Sequence, residues 1–290
     1  MKSFPSNEPL VAWPEASAQD LAEFDCLLEQ KSEEINGVYW RRVRPFFFRP
    51  LLPFREYASA SIAAPRAARW GGFQHAVPEC EPSNTHLNVL LFDNSGDYTV
   101  KSLDYNRRRQ VRTAAEKLCV LPVRDAGEFK QKAYPVYVSF YDRTRYAHGA
   151  HRRDRKYFDR WADALFRSRA LVILGGYQDD RLAGVSVSLR VEDTLVYAMF
   201  FCDTDSLRLG LSDLMLHTIR EAAARDAGIR QIYTGMSNEK NDRFYLLRGG
   251  RCVSLRARLV MNPLAEVVLR RSLPGVYARL RGELSAKAAE

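Results

Sequence analysis

The chain has 290 residues, 46% hydrophobic and 11% aromatic, with a net charge of +9 and a pI of about 9.4. That composition buries a sizeable core in one large domain or two moderate ones. Its apolar runs, such as TLVYAMFFC at 194–202, are shorter than the roughly 20 residues of a membrane-spanning helix. Its five cysteines form no CxxC pair, which argues against a disulfide framework or zinc knuckle and for core thiols.

The positive charge, carried mostly by arginine, suits a partner with phosphates or carboxylates: a nucleotide cofactor, tRNA or an anionic membrane face. It suits a solvated basic surface equally well. The N-terminus carries Pro, Asn and Glu where a secretory signal would be apolar, so the expected location is the cytoplasm. His148 and His151 have no nearby carboxylate or cysteine to complete a ligand set, and no metal is expected.

In chain order, Leu21, Phe24, Leu27 and Leu28 predict a helix over 16–35 that ends at the cap signal Asn36-Gly37. The proline- and aromatic-rich stretch 38–57 predicts an extended segment, either packing or lining a pocket. A strand at 86–94 precedes a helix capped by Ser102, which carries Arg107, Arg108, Arg109 and Arg112. Those arginines read as a solvated face or as a phosphate or nucleic-acid contact. A short helix at 125–134 and another at 154–168 lead to three strands, 170–177, 181–191 and 194–202, which the turns QDD and EDT arrange as an antiparallel meander. Then follow helix 211–227, strand 229–235, helix 239–247, strand 251–261 and an amphipathic last stretch from Pro263.

Gly210 and Ser212 stand where a strand passes into a helix, and the amides and dipole of such a helix start favour a pyrophosphate. With Gly228, and with the spacing N-x6-Y-x3-G met by Asn238, Tyr245 and Gly249, the stretch 170–261 resembles the GNAT superfamily of acyl-CoA N-acyltransferases. The loop departs from the family's Q/R-x-x-G-x-G/A, with Leu207 at the basic position and Arg208 one residue out of register. A second resemblance lies in SLDYNRRRQVRTAAEKLCVLPV, which is similar to the helix preceding the GNAT-like half of Fem-type peptidoglycan aminoacyltransferases; no helical tRNA arm is visible.

The resemblance implies an α/β (α+β) fold whose largely antiparallel central sheet is flanked by helices. A partial GNAT-like half would lie at 1–124 and the acyltransferase domain at 125–290. It implies an acyl-CoA co-substrate held by Phe201, Cys202, Arg208, Leu209, Gly210, Leu211, Ser212 and Asn238. The acceptor would be an amine, and a homodimer is compatible. Tyr245 would protonate the leaving thiolate, and Glu192 is the candidate base, with Asp193, Asp203 and Asp205 as other turn carboxylates. Two alternatives stay open: an aminoacyltransferase charged from tRNA, and a module that binds acyl-CoA without catalysis.

Overall fold

The computed structural model describes residues 12–144 and 150–282; the readings placed on residues 1–11 and on His148 lie outside the described residues. Strand β1 (Glu15–Ala16) and helix α1 (Ala18–Leu27) come first. The helix expected over 16–35 stops there, because β2 (Ser32–Ile35) and β3 (Val38–Arg44) pair antiparallel across Asn36-Gly37. Both turn residues are left-handed, φ 51° and 78°, the two-residue hairpin geometry that Asn-Gly favours. The dipeptide turns a strand instead of capping a helix. The stretch 38–57 is extended over β3 and β4 (Phe47–Pro50). β5 (Gly72–Ala76) follows a 3-10 turn at Arg66–Trp70, and then comes β6 (Thr85–Phe92).

Helix α2 (Tyr105–Ala115) is capped by Asp104, whose carboxylate accepts the Arg107 amide at 3.0 Å. Ser102 instead closes the 3-10 turn Val100–Ser102. After β7 (Cys119–Pro122), the helix expected to be short is α3 (Ala126–Thr144), which runs through Pro135 to 19 residues. The lost hydrogen bond is offset by packing on α4 (Arg155–Arg167), where Phe129, Tyr137, Phe158 and Trp161 bury their rings together. The meander is β8 (Val172–Gln178), β9 (Arg181–Val191) and β10 (Thr194–Cys202), antiparallel as expected. The chain continues with α5 (Thr204–Arg208), α6 (Leu211–Ala224), β11 (Gln231–Met236), α7 (Glu239–Leu246), β12 (Arg251–Met261), α8 (Pro263–Ser272) and α9 (Pro274–Leu280).

Contacts group the described chain into two units, each of two segments: the residues up to Asp20 with Phe92–Ile232, and Leu21–Leu91 with the residues from Tyr233. In the first unit the strand order is β7-β8-β9-β10, all antiparallel, with β1 parallel to the end of β9. Helix α6 covers one face, where Ser186 Oγ lies 3.4 Å from Met215 Sδ. Helices α3 and α4 cover the other, where the Phe201 ring meets Tyr137 edge-on at 5.4 Å. In the second unit the order is β2-β3-β4-β5-β12-β6, antiparallel except for β4 with β5. The architecture is therefore mixed α/β, with largely antiparallel sheet flanked by helices.

Candidate functional site

At the end of β10 the chain passes through one turn of α5 into α6. Asp203 caps α5, accepting the Ser206 amide at 2.7 Å and pairing with Arg181. Burial pushes its carboxyl up, but these bonds outweigh burial and hold it below the ordinary aspartate range. Gly210 then takes the left-handed conformation, φ 88°, that lets the chain start α6. Its carbonyl accepts the amides of Asp213 and Leu214 at 3.0 Å. The amides of Leu211 and Ser212 belong to the first turn, which has no acceptor within the helix. This is an anion-favouring helix start, although Asp213 already places a carboxylate in the same turn.

Leu211 serves this geometry as packing. Its fully buried side chain fills the space above two strand glycines: a Cβ at Gly184 would lie 2.7 Å from Leu211 Cδ2, and one at Gly176 would overlap Cδ1. Gly176→Ala is therefore expected to cost about 1–3 kcal/mol by overpacking and Leu211→Ala about 2–4 kcal/mol by leaving a cavity. Because the second change makes room for the first, the double variant should cost about 1 kcal/mol less than the sum. Urea unfolding of the four proteins reads the difference.

Of the other residues expected to hold the donor, Phe201 and Cys202 are buried and present only backbone to a ligand. Burial pushes the Cys202 thiol up to about 11, so it is not a nucleophile. Arg208 is exposed and loosely faces Asp205 at 4.0 Å, and Leu209 is half-buried. Glu192 is placed elsewhere: it sits in the β9–β10 turn, and the length of β10 separates it from Cys202 by about 30 Å at the rise of a strand. It cannot act on a group held at Cys202. Its neighbour Asp193 is engaged by Arg230 at 2.6 Å. Gly228 also differs in role, since α6 has already ended and the glycine leaves space for the Arg190 guanidinium.

Asn238 and Tyr245 belong to the second unit. The Asp242 carboxylate accepts the Asn238 amide at 2.7 Å and the Ser237 hydroxyl at 2.6 Å, fixing the start of α7. At the other end Gly249, φ 80°, donates to Leu246 O, and Gly250 donates to Tyr245 O at 2.9 Å. That pair of bonds is a Schellman motif, so the glycine four residues after Tyr245 is the helix terminator, and Gly250 beyond it caps the tyrosine's own carbonyl. Asp242→Ala should cost about 1–2 kcal/mol, because two donors lose their acceptor at once; a thermal melt measures it.

Three features escaped sequence reading. Helix α2 packs on α6, and a Cβ at Gly210 would lie 3.4 Å from Ala114 Cβ and 3.8 Å from Gln110 O. One turn earlier on the same helix, Arg107 donates to Gln110 Oε1 at 2.7 Å, so the helix packed against α6 carries a cation, whereas the α6 loop has Leu207 at the basic position. No sequence signal links positions a hundred residues apart. The β9–β10 register breaks between Tyr197 and Met199, leaving Ala198 as a bulge. A cavity of about 440 Å³ opens at the Cys202 end of β10, lined by Lys132, Pro135 and Ser139 of α3, Arg181 and Leu182 of β9, and Asp205. Among the described residues no group of three or more His, Cys, Asp or Glu could hold a metal ion.

Comparison with known proteins bears on the fold. The family model of the acetyltransferase (GNAT) domain matches residues 104–244. Among solved structures, the chain is similar to the C-terminal domain of a putative lysylphosphatidylglycerol synthetase from Agrobacterium fabrum, with TM-score 0.57, 10% identity, and coverage of 94% of this chain and 95% of that one. It is similar to FemX at TM-score 0.54 and 10% identity, covering 87% and 92%. The corresponding values for L-PGS from Bacillus licheniformis are 0.51, 11%, 92% and 93%. At such identities the likeness is one of fold. No curated protein matches in sequence. Residues 104–244 thus match the acetyltransferase (GNAT) domain, and the fold of the chain is similar to that of FemX.

Proposed function

We propose that this protein is an N-acyltransferase that moves an acyl group from an acyl-CoA-type thioester to an amine. The observation that carries the reading is the start of α6: left-handed Gly210, first-turn amides at Leu211 and Ser212, and against Gly210 the packed helix α2, which carries Arg107. Those groups fit a pyrophosphate, with α2 supplying the cation missing from the loop. A backbone amide at the Phe201–Cys202 end of β10 polarises the thioester carbonyl. The cavity beside Asp205 takes the acceptor, and Asp205, through water, accepts the amine's proton. The amine lone pair forms the new C–N bond, the C–S bond breaks with its electron pair on sulfur, and the Tyr245 hydroxyl protonates that sulfur. The three exposed free thiols, Cys26, Cys80 and Cys252, support a reducing compartment such as the cytoplasm.

Calorimetric titration with CoA should show saturable binding that Arg107→Ala weakens about tenfold, the loss of one charge-assisted contact. Acetyl-CoA with a panel of amines should release free thiol. Absence of CoA binding overturns the reading. Tight tRNA binding that falls steeply with salt would replace it with the aminoacyl-tRNA alternative. Saturable CoA binding without thiol release would replace it with a non-catalytic module.

A further inference from the structure

Helix α8 packs inward through Leu269, which joins Met261 and Val276 against the buried Phe47, Leu259 and Leu280. Its opposite stripe, Leu264, Val267, Val268 and Arg271, repeats at three and four. Leu264 and Val268 stand 78% and 60% exposed. A surface helix of a globular protein ordinarily turns its apolar stripe to the core. This one turns it outward.

The stripe continues onto neighbouring segments. Asn262 caps α8, accepting the Leu264 amide, and donates its own amide to Gly71 O at 3.0 Å and its side-chain Nδ2 to Arg69 O at 2.9 Å. Gly72 N donates in turn to Phe46 O at 3.0 Å. The backbones that carry Leu264, Trp70 and Phe46 therefore meet, and Trp70 and Phe46 are 60% and 52% exposed. Contiguous exposed apolar surface of this kind marks an interaction site.

Charge identifies what it meets. Segments 38–50, 62–76 and 257–282 together hold eleven arginines and one carboxylate, Glu266, which already accepts the Tyr277 hydroxyl at 2.7 Å. Arg42, Arg44, Arg66, Arg69, Arg270 and Arg271 are exposed and pair with no carboxylate among the described residues. An apolar centre inside an arginine rim needs hydrocarbon and phosphate together. A nucleic acid offers phosphates but nothing apolar for aliphatic Leu264 and Val268, and a second copy would set one arginine rim against another. We propose that this face of the second unit docks on the surface of an anionic phospholipid bilayer, with Phe46, Trp70, Leu264 and Val268 at the boundary of headgroups and acyl chains and the arginines on lipid phosphates. The attachment is peripheral: among the described residues no helix is long and apolar enough to cross a membrane.

The test uses the full chain with vesicles of phosphatidylcholine alone or mixed with phosphatidylglycerol. Expected is co-sedimentation with the mixed vesicles only, reduced about tenfold by Leu264→Ser with Val268→Ser, since two exposed apolar anchors are lost. Trp13, Trp40 and Trp161 are already buried, so a blue shift of tryptophan emission on vesicle binding reports Trp70 and should vanish in Trp70→Phe. A thermal melt confirms that the serine variant is folded; if it is not, the Trp70 signal decides. No binding to mixed vesicles, no shift from Trp70, undiminished binding of the folded serine variant, or preferential binding of RNA each overturns the proposal.

Discussion

Phe201→Ala is expected to lower the stability of the protein by about 3–5 kcal/mol, the cost of removing a buried aromatic ring, while leaving the proposed binding of CoA by the folded protein unchanged. The ring is 1% exposed and lies within 5.4 Å of Tyr137, 6.2 Å of Phe140 and 6.4 Å of Trp161. It therefore fastens the last turn of the β10 ladder to the α3–α4 layer, while any contact with a thioester arm comes from backbone. Urea unfolding measures the first effect and calorimetric titration below the unfolding transition the second. A large loss of CoA affinity at unchanged stability would mean that the side chain itself touches the ligand. Phe201→Leu should recover much of the stability, since it refills part of the space.

The meander and α6 were legible because their signals are local: alternating or continuous apolar runs, two-residue turns, and a glycine before an amphipathic stretch. The same locality misled elsewhere. Asn36-Gly37 serves a helix end or a hairpin equally well, and only the pairing of β2 with β3 decides between them. Pro135 reads as a helix stop, yet α3 passes through it because Phe129 before it and Tyr137 after it share one aromatic layer with α4. At the candidate site the sequence could point to Gly210 but not to Arg107, which only the packing of α2 against α6 relates to it. Glu192 was attractive as a turn carboxylate next to the right strand, but it adjoins the far end of that strand. A linear motif carries no information about which end of a strand faces the chemistry.

Tyr245→Phe is expected to lower turnover about a hundredfold, the usual worth of a positioned proton donor, while CoA binding stays within a factor of two or so. The phenol suits the role of acid: burial pushes it up to about 12, against the pull of Arg248, so it holds its proton throughout the neutral range. The wild-type rate should then show no alkaline fall from this group below about pH 10, the ordinary tyrosine value. The same shift bears on folding. Because ionisation is harder in the folded state, the contribution is complete below the unfolded value near 10 and is lost as pH rises through about 12. Phenylalanine keeps the ring that meets Phe244 edge-on at 5.1 Å, and the Schellman bonds at Tyr245 O are backbone, so the variant should remain folded. Turnover equal to wild type would remove Tyr245 from the mechanism and leave its phenol a packing residue ahead of Gly249.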